Sequence, residues 1–172
     1  MGYHWRAMAK KQTKRKTPSA SVEAFDSKAV VRVLNRILEM ELAGVVRYTH
    51  YSLMVFGYNR IPIVSWLRSQ ATEAMGHATA AGELITHLGE HPSLSIGPLL
   101  ETQNHDIGAI LRESLDHELV TLALYKDLLE LVADRSIMLD EYARGMILAE
   151  EQHCGEVDKM LRHPGETGAF PR

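Results

Sequence analysis

The stretch Glu150-Glu151-Gln152-His153 places a carboxylate and an imidazole three residues apart. Its surroundings are apolar at helical spacing, and a helix would direct Glu150 and His153 to the same face. If that face is buried, the pair needs a cation or another partner, because an unpaired buried charge is costly. The spacing also suits a solvated surface pair, so the rest of the chain must supply the other members of a site.

The composition is that of an ordinary globular chain. It has 172 residues, 45% hydrophobic and 24% charged, enough to bury a core in one domain. The net charge of -3 argues against a general nucleic-acid binder. Cys154 is the single cysteine, so no intrachain disulfide forms, which fits a reducing, cytoplasmic location. No apolar run approaches the roughly 18 residues of a membrane span, so we expect no membrane partner.

The first 26 residues predict a disordered, basic N-terminal tail. The run Lys10-Lys11-Gln12-Thr13-Lys14-Arg15-Lys16 is followed by Thr17-Pro18-Ser19. Low apolarity and high charge do not offset the entropy lost on ordering. The tail is either simply solvated or an arm that contacts nucleic-acid phosphates.

Four later stretches have apolar residues at helical spacing and predict an all-α domain over residues 27–163. The first helix begins near Asp26 or Ser27 and runs to about Phe56, where Gly57 ends it. The others are predicted from Pro62 to about 89, from about 104–106 to 132, and from about 138 to 161. Residues 164–172 form a short tail that cannot hold a fifth helix of any length.

Residues 90–103 contain two prolines and a glycine, which predicts a non-helical connection. Extended, it reaches about 46 Å, which matches the second helix. A crossover of this length joins parallel helices, and the apolar Leu94, Ile96, Leu99 and Leu100 are expected to lie along the bundle. The prediction is a four-helix bundle with a long crossover between its second and third helices.

Each predicted helix carries a glutamate near its middle. These are Glu41, Glu73, Glu118 and Glu150, and the two members of each half are 32 residues apart. Glu41 and Glu118 are each followed by a tyrosine at plus seven, Tyr48 and Tyr125. This pattern indicates a weak repeat of two helical hairpins, with four carboxylates at one depth.

Four carboxylates in an apolar core need cations to stay ionised. Two divalent metals with bridging carboxylates and one histidine each would give a mixed nitrogen and oxygen shell, suited to iron or manganese, with zinc as a substitute. Oxidation of Fe(II) by dioxygen or peroxide is the reaction that such a site favours. Tyr48 and Tyr125 either hydrogen-bond ligand carboxylates or are ordinary core residues.

These residues resemble the ligand-bearing segments of the ferritin-like superfamily, and most of all bacterioferritin, over about residues 28–162. The matching segments are Leu34-Asn35-Arg36-Ile37-Leu38-Glu39-Met40-Glu41-Leu42, Glu73-Ala74-Met75-Gly76-His77-Ala78, Leu115-Asp116-His117-Glu118-Leu119 and Glu150-Glu151-Gln152-His153. The resemblance implies that Glu41 and Glu118 are terminal ligands and that Glu150 is a bridging one. It makes His77 and His153 the imidazole ligands, and it implies a homo-oligomer of at least two chains.

The second helix departs from the family pattern. The family has E-x-x-H there, whereas Glu73 and His77 are four residues apart and Ala74 stands at the bridging position. Either Glu73 still serves as a ligand, with a π-bulge restoring the register, or it points away from the site. The missing fifth helix also puts a hollow, iron-storing cage in doubt.

Met75 lies two residues before His77, where bacterioferritin has its haem-ligating methionine. The resemblance therefore implies a haem site at a dimer interface, and an ordinary interface or core methionine is the alternative.

The sequence thus predicts a ferritin-like di-iron ferroxidase that serves iron storage or detoxification. The alternatives are a DNA-protecting mini-ferritin, which the basic tail indicates, and a haem- or metal-binding bundle without turnover.

Overall fold

The computed structural model describes residues 25–100 and 102–168, which form four long α-helices. Helix α1 spans Ser27–Met54, α2 spans Arg60–His87, α3 spans Ile107–Val132 and α4 spans Ile137–Leu161. No β-strand occurs in these described stretches. The prediction of an all-α four-helix bundle is confirmed. The predicted basic tail lies almost wholly outside the described residues.

Three of the helices begin at a side-chain cap. Asp26 accepts a hydrogen bond from the Ala29 amide at 3.1 Å, and Asp106 accepts one from the Ala109 amide at 2.8 Å. Ser136 caps α4 in the same way. Such caps satisfy amides that the first helical turn leaves without partners.

Two predicted boundaries are displaced by two residues. Helix α1 ends at Met54, not near Phe56, and Gly57 lies in the following turn with a φ of +91°. Helix α2 begins at Arg60, so Pro62 lies inside its first turn. That position tolerates proline because its missing amide has no helical partner there.

Short connections join α1 to α2 and α3 to α4, which gives two antiparallel hairpins. The long segment between α2 and α3 runs along α1. The Gly97 amide donates to the Glu39 carbonyl at 2.8 Å, and the His105 ring nitrogen lies 2.7 Å from the Met54 carbonyl. The segment therefore travels towards the C-terminal end of α1, and α3 starts at the same end of the bundle as α2.

The crossover contacts α1 through polar and backbone groups rather than through its apolar residues. A Cβ atom at Gly97 would lie 2.9 Å from Met40 Sδ and 3.0 Å from the Glu39 carbonyl, so glycine permits this close approach. The expectation that the four apolar side chains lie along the bundle is wrong for this chain alone. Leu94 is fully exposed, and Ile96, Leu99 and Leu100 are also exposed.

Two apolar clusters fill the bundle on either side of its middle. One surrounds Leu34, Ile85 and Leu128, and the other surrounds Tyr51, Leu67 and Ile110. Gly44 lets the helices approach between them, since a Cβ there would lie 3.3 Å from the His117 ring. The middle of the bundle is therefore the layer in which buried polar side chains meet.

None of the described helices carries an apolar stretch long enough to cross a bilayer.

Candidate metal centre

Three glutamates from three helices meet in the middle layer. Glu41 on α1, Glu118 on α3 and Glu150 on α4 are buried, and Glu150 is 2% exposed. Burial raises the pKa of Glu41. Burial and then the charge of Glu150 raise the pKa of Glu118 to about 8. Without cations this layer resists holding three negative charges.

Two imidazoles complete the layer. His77 Nδ1 lies 3.5 Å from Glu41 Oε1 and 3.3 Å from Glu150 Oε1. His153 Nδ1 lies 3.8 Å from Glu118 Oε2. Burial alone would lower the pKa of His77, but hydrogen bonds and charge from Glu150 and Glu41 outweigh it and raise the pKa to about 10.

The five side chains fall into two groups suited to a metal ion. Glu41, His77 and Glu150 form one group, and Glu118, Glu150 and His153 form the other. Within each group the ligand atoms lie within 4.8 Å of one another. Because Glu150 belongs to both groups, the geometry is that of two adjacent metal positions that share one carboxylate.

Two tyrosines support the glutamates in a reciprocal arrangement. Tyr48 on α1 donates a hydrogen bond to Glu118 on α3, and Tyr125 on α3 donates one to Glu41 on α1 at 2.8 Å. The plus-seven spacing produces this crossing because α1 and α3 run antiparallel. Burial raises the pKa of both phenols well above 10, so both remain protonated donors.

The donor set fits divalent iron or manganese. Glu150 Oε2 and His153 Nε2 are buried and have no hydrogen-bond partner among the described residues. Buried polar atoms are rarely left in this state, and a bound cation would satisfy both. Carboxylate oxygens mixed with imidazole nitrogens are the ligands that these metals prefer.

The α2 side of the centre is weaker than the α4 side. Helix α2 is a continuous α-helix, so the expected π-bulge is absent from the described chain. Glu73 lines the mouth of the metal cavity with a side chain that is 48% exposed, and its Oε1 lies 4.0 Å from His77 Nε2. Glu73 belongs to neither ligand group, whereas Ala74 is buried in the cavity wall.

The sequence reasoning missed two contributions from α2. Gln70 is buried in the cavity wall. The Trp66 ring centre lies 6.0 Å from that of His153 and 6.3 Å from that of Tyr48. Both precede His77 on the same helical stripe, at minus seven and minus eleven, and that spacing was the available signal.

Two neighbouring groups stay neutral beside the centre. Burial, with the nearby Glu118 and Glu150, raises the pKa of the Cys154 thiol to about 12. Burial and the charge of Arg47 lower the pKa of His117 to about 4, and Arg47 Nη1 lies 3.2 Å from His117 Nδ1. Neither group adds a charge to the metal layer at neutral pH.

Met75 lies away from the metal layer, on the outer face of α1 and α2. Its side chain is 47% exposed and borders a surface depression that includes Val45, Leu53 and Arg68. The structure therefore leaves Met75 accessible to a ligand or to another chain.

A four-helix bundle with a long crossover and a buried carboxylate–imidazole layer defines the class of ferritin-like proteins. The family described as "Ferritin-like domain" matches residues 31–164, and the chain belongs to this family.

Solved structures of this fold are similar over most of the chain. A ferritin-like, diiron-carboxylate protein from Bacillus anthracis is 27% identical, with a TM-score of 0.73 over 79% of this chain and 97% of that one. The dodecameric thioferritin of Bacteroides fragilis is 19% identical, with a TM-score of 0.73 over 80% and 86%. Rhodobacter capsulatus bacterioferritin, described with a dinuclear site and haem iron, is 24% identical, with a TM-score of 0.67 over 80% and 86%.

No match is found among curated proteins.

Proposed function

We propose that this chain is a ferroxidase that binds two Fe(II) ions in the middle layer and oxidises them with dioxygen or peroxide. The observation that carries the proposal is the pair of ligand groups that share Glu150. Shared ligation holds two metals close together, and each Fe(II) then supplies one of the two electrons that peroxide formation or reduction requires. The product, Fe(III), would be stored or rendered harmless.

Each ligand has a defined part in this proposal. Glu41 and His77 bind one ion, Glu118 and His153 bind the other, and Glu150 bridges them. Glu73, at the cavity mouth, is proposed as a sixth and weaker ligand beside His77. The phenols of Tyr48 and Tyr125 hold two of the carboxylates in orientation by their hydrogen bonds.

Proton balance also follows from the residues. The raised pKa values of His77 and Glu118 mean that the metal-free centre holds protons at neutral pH. Metal ligands must be deprotonated, so the binding of two cations expels these protons. The apolar clusters on either side keep bulk water away from the layer.

The test is an anaerobic titration of metal-free protein with Fe(II), followed by exposure to dioxygen. Binding should saturate near two ions per chain, and oxidation should follow at a rate well above that of free Fe(II). The double variant Glu150→Ala, His153→Ala should bind neither ion. Unchanged stoichiometry in that variant would contradict the proposal.

We propose a cytoplasmic homo-oligomer for this activity. The lone, buried cysteine and the exposed apolar side chains of the crossover support the two parts of this statement. The similar Bacteroides fragilis thioferritin is a dodecamer. Native mass measurement, combined with metal analysis, tests the assembly and the metal count together.

The mini-ferritin alternative depends on the basic tail. Deletion of residues 1–17 should abolish any salt-sensitive retardation of DNA if the tail binds phosphates. The described chain holds both ligand groups by itself, which favours an intrachain ferroxidase centre over one built between subunits.

The haem hypothesis rests on Met75, whose exposed thioether could be an axial ligand at an interface with a second copy. Haem reconstitution should give a Soret band that Met75→Leu removes. Met160→Leu, at an exposed methionine on α4, is the matched control.

A further inference from the structure

Gln70 lines the metal cavity without making a hydrogen bond through its carbonyl oxygen. Its side chain is 9% exposed, and Oε1 has no partner among the described residues. A buried amide oxygen in this state has lost its water without gaining a replacement. Its presence in the cavity wall requires an explanation that the five-ligand centre does not supply.

The position of Gln70 along α2 indicates which metal it faces. Trp66 precedes it by one turn on the same face, and the Trp66 ring packs against those of His153 and Tyr48. His77 follows it by two turns and approaches Glu41 and Glu150. Gln70 therefore lies between these levels, towards the half of the centre that contains Glu118 and His153.

Two other unpaired atoms border the same cavity. His153 Nε2 and Glu150 Oε2 are buried and lack partners, as Gln70 Oε1 does. All three atoms can offer a lone pair, so one cation can satisfy all three. Ala74 supplies no second bridging carboxylate on this wall, which leaves a coordination position for another oxygen.

We propose that Gln70 donates its amide oxygen as a ligand to the metal that Glu118 and His153 bind. This inference rests on the proposed two-metal function and adds a ligand to it. An amide oxygen contributes coordination without adding charge. It therefore does not worsen the repulsion among the three buried carboxylates.

The test uses Co(II), whose absorption reports its ligand number, in metal-free protein. Wild type should bind two Co(II) ions. Gln70→Leu should weaken one of them at least about tenfold, alter its spectrum and leave the other unchanged. Gln70→Glu should restore the affinity. Gln152→Leu, at an exposed glutamine on α4, is the matched control and should behave as wild type.

The melting temperature of the metal-free protein separates ligation from folding. Metal-free Gln70→Leu should melt no lower than wild type, because leucine removes an unsatisfied buried oxygen. Its stabilisation by added Co(II) should be smaller. Equal affinities and spectra for Gln70→Leu and wild type would overturn this inference and leave the two-metal proposal standing. Fewer than two Co(II) ions in wild type would overturn the two-metal proposal, and this inference with it.

Discussion

Helices α2 and α4 carry the same residue types in the same half-repeat, yet they serve the centre differently. On α4, Glu150 and His153 are three residues apart, and both point into the buried layer. On α2, Glu73 and His77 are four apart, and Glu73 is half-exposed while His77 points inward. A register change of one residue turns the Glu73 carboxylate by about 100° around the helix. That turn moves it from the core to the cavity mouth.

The difference shows that spacing between halves is a weaker constraint than direction around the helix. Glu73 matches Glu150 in its 32-residue distance from the preceding glutamate. It nevertheless lies on the wrong side of the stripe defined by Gln70, Ala74 and His77. The centre consequently has one shared carboxylate where a symmetrical pair of hairpins would have two.

The largest effect is expected from Glu150→Ala. Glu150 belongs to both ligand groups, so its loss should remove binding of both ions in an anaerobic Fe(II) titration. Glu151→Ala is the control, since Glu151 is exposed and pairs with Lys126 at 3.0 Å. Retention of one tightly bound ion by Glu150→Ala would show that the two groups are independent, and the α4 side would lose its special status.

The next largest effect is expected from Ala74→Glu, which gives α2 the spacing of α4. The new carboxylate would enter the cavity wall and offer a second bridge, so metal affinity should rise about tenfold or more. The metal-free protein should lose about 1–3 kcal/mol of unfolding free energy, because the buried carboxylate has no partner. Thr79→Glu, at an exposed position on α2, should change neither quantity. A stable Ala74→Glu protein with unaltered affinity would show that the α2 register does not limit binding.

A smaller effect is expected in the pH dependence of metal-free stability. The folded state raises the pKa of His77 from 6.5 to about 10 and that of Glu118 from 4.5 to about 8. The folded state therefore binds more protons, and the stability that these groups contribute is lost as pH rises through those values. Unfolding free energy, measured by denaturant titration, should fall from pH 6.5 to pH 10.

The variant His77→Leu should flatten that fall above pH 8, where Glu118 has largely titrated. His87→Leu, an exposed histidine at the end of α2, should keep the wild-type slope. A slope that survives in His77→Leu would place the stored protons elsewhere than on α2.

The sequence was sufficient for the fold because the helices follow from local patterns. Apolar periodicity, the caps at Asp26 and Asp106, and the proline-rich segment after α2 each act within a few residues. The depth of Glu41, Glu118 and Glu150 followed from helix length. The direction of Glu73 did not, because a carboxylate at i−4 from His77 lies near enough to the stripe for either outcome. Gln70 was missed because no residue type marks it as a ligand until its burial is known.

The smallest effect is expected from Glu73→Gln, and it decides how unequal α2 and α4 are. A side chain that is 48% exposed at the cavity mouth contributes little to packing, so stability should change by no more than about 0.5 kcal/mol. Metal affinity should fall by about tenfold at most, and for the ion bound beside His77 alone. Glu83→Gln, at an exposed glutamate two turns further along α2, is the matched control. Complete loss of one ion in Glu73→Gln would mean that the carboxylate turns inward when metal binds. The two helices would then be functional equivalents despite their different registers.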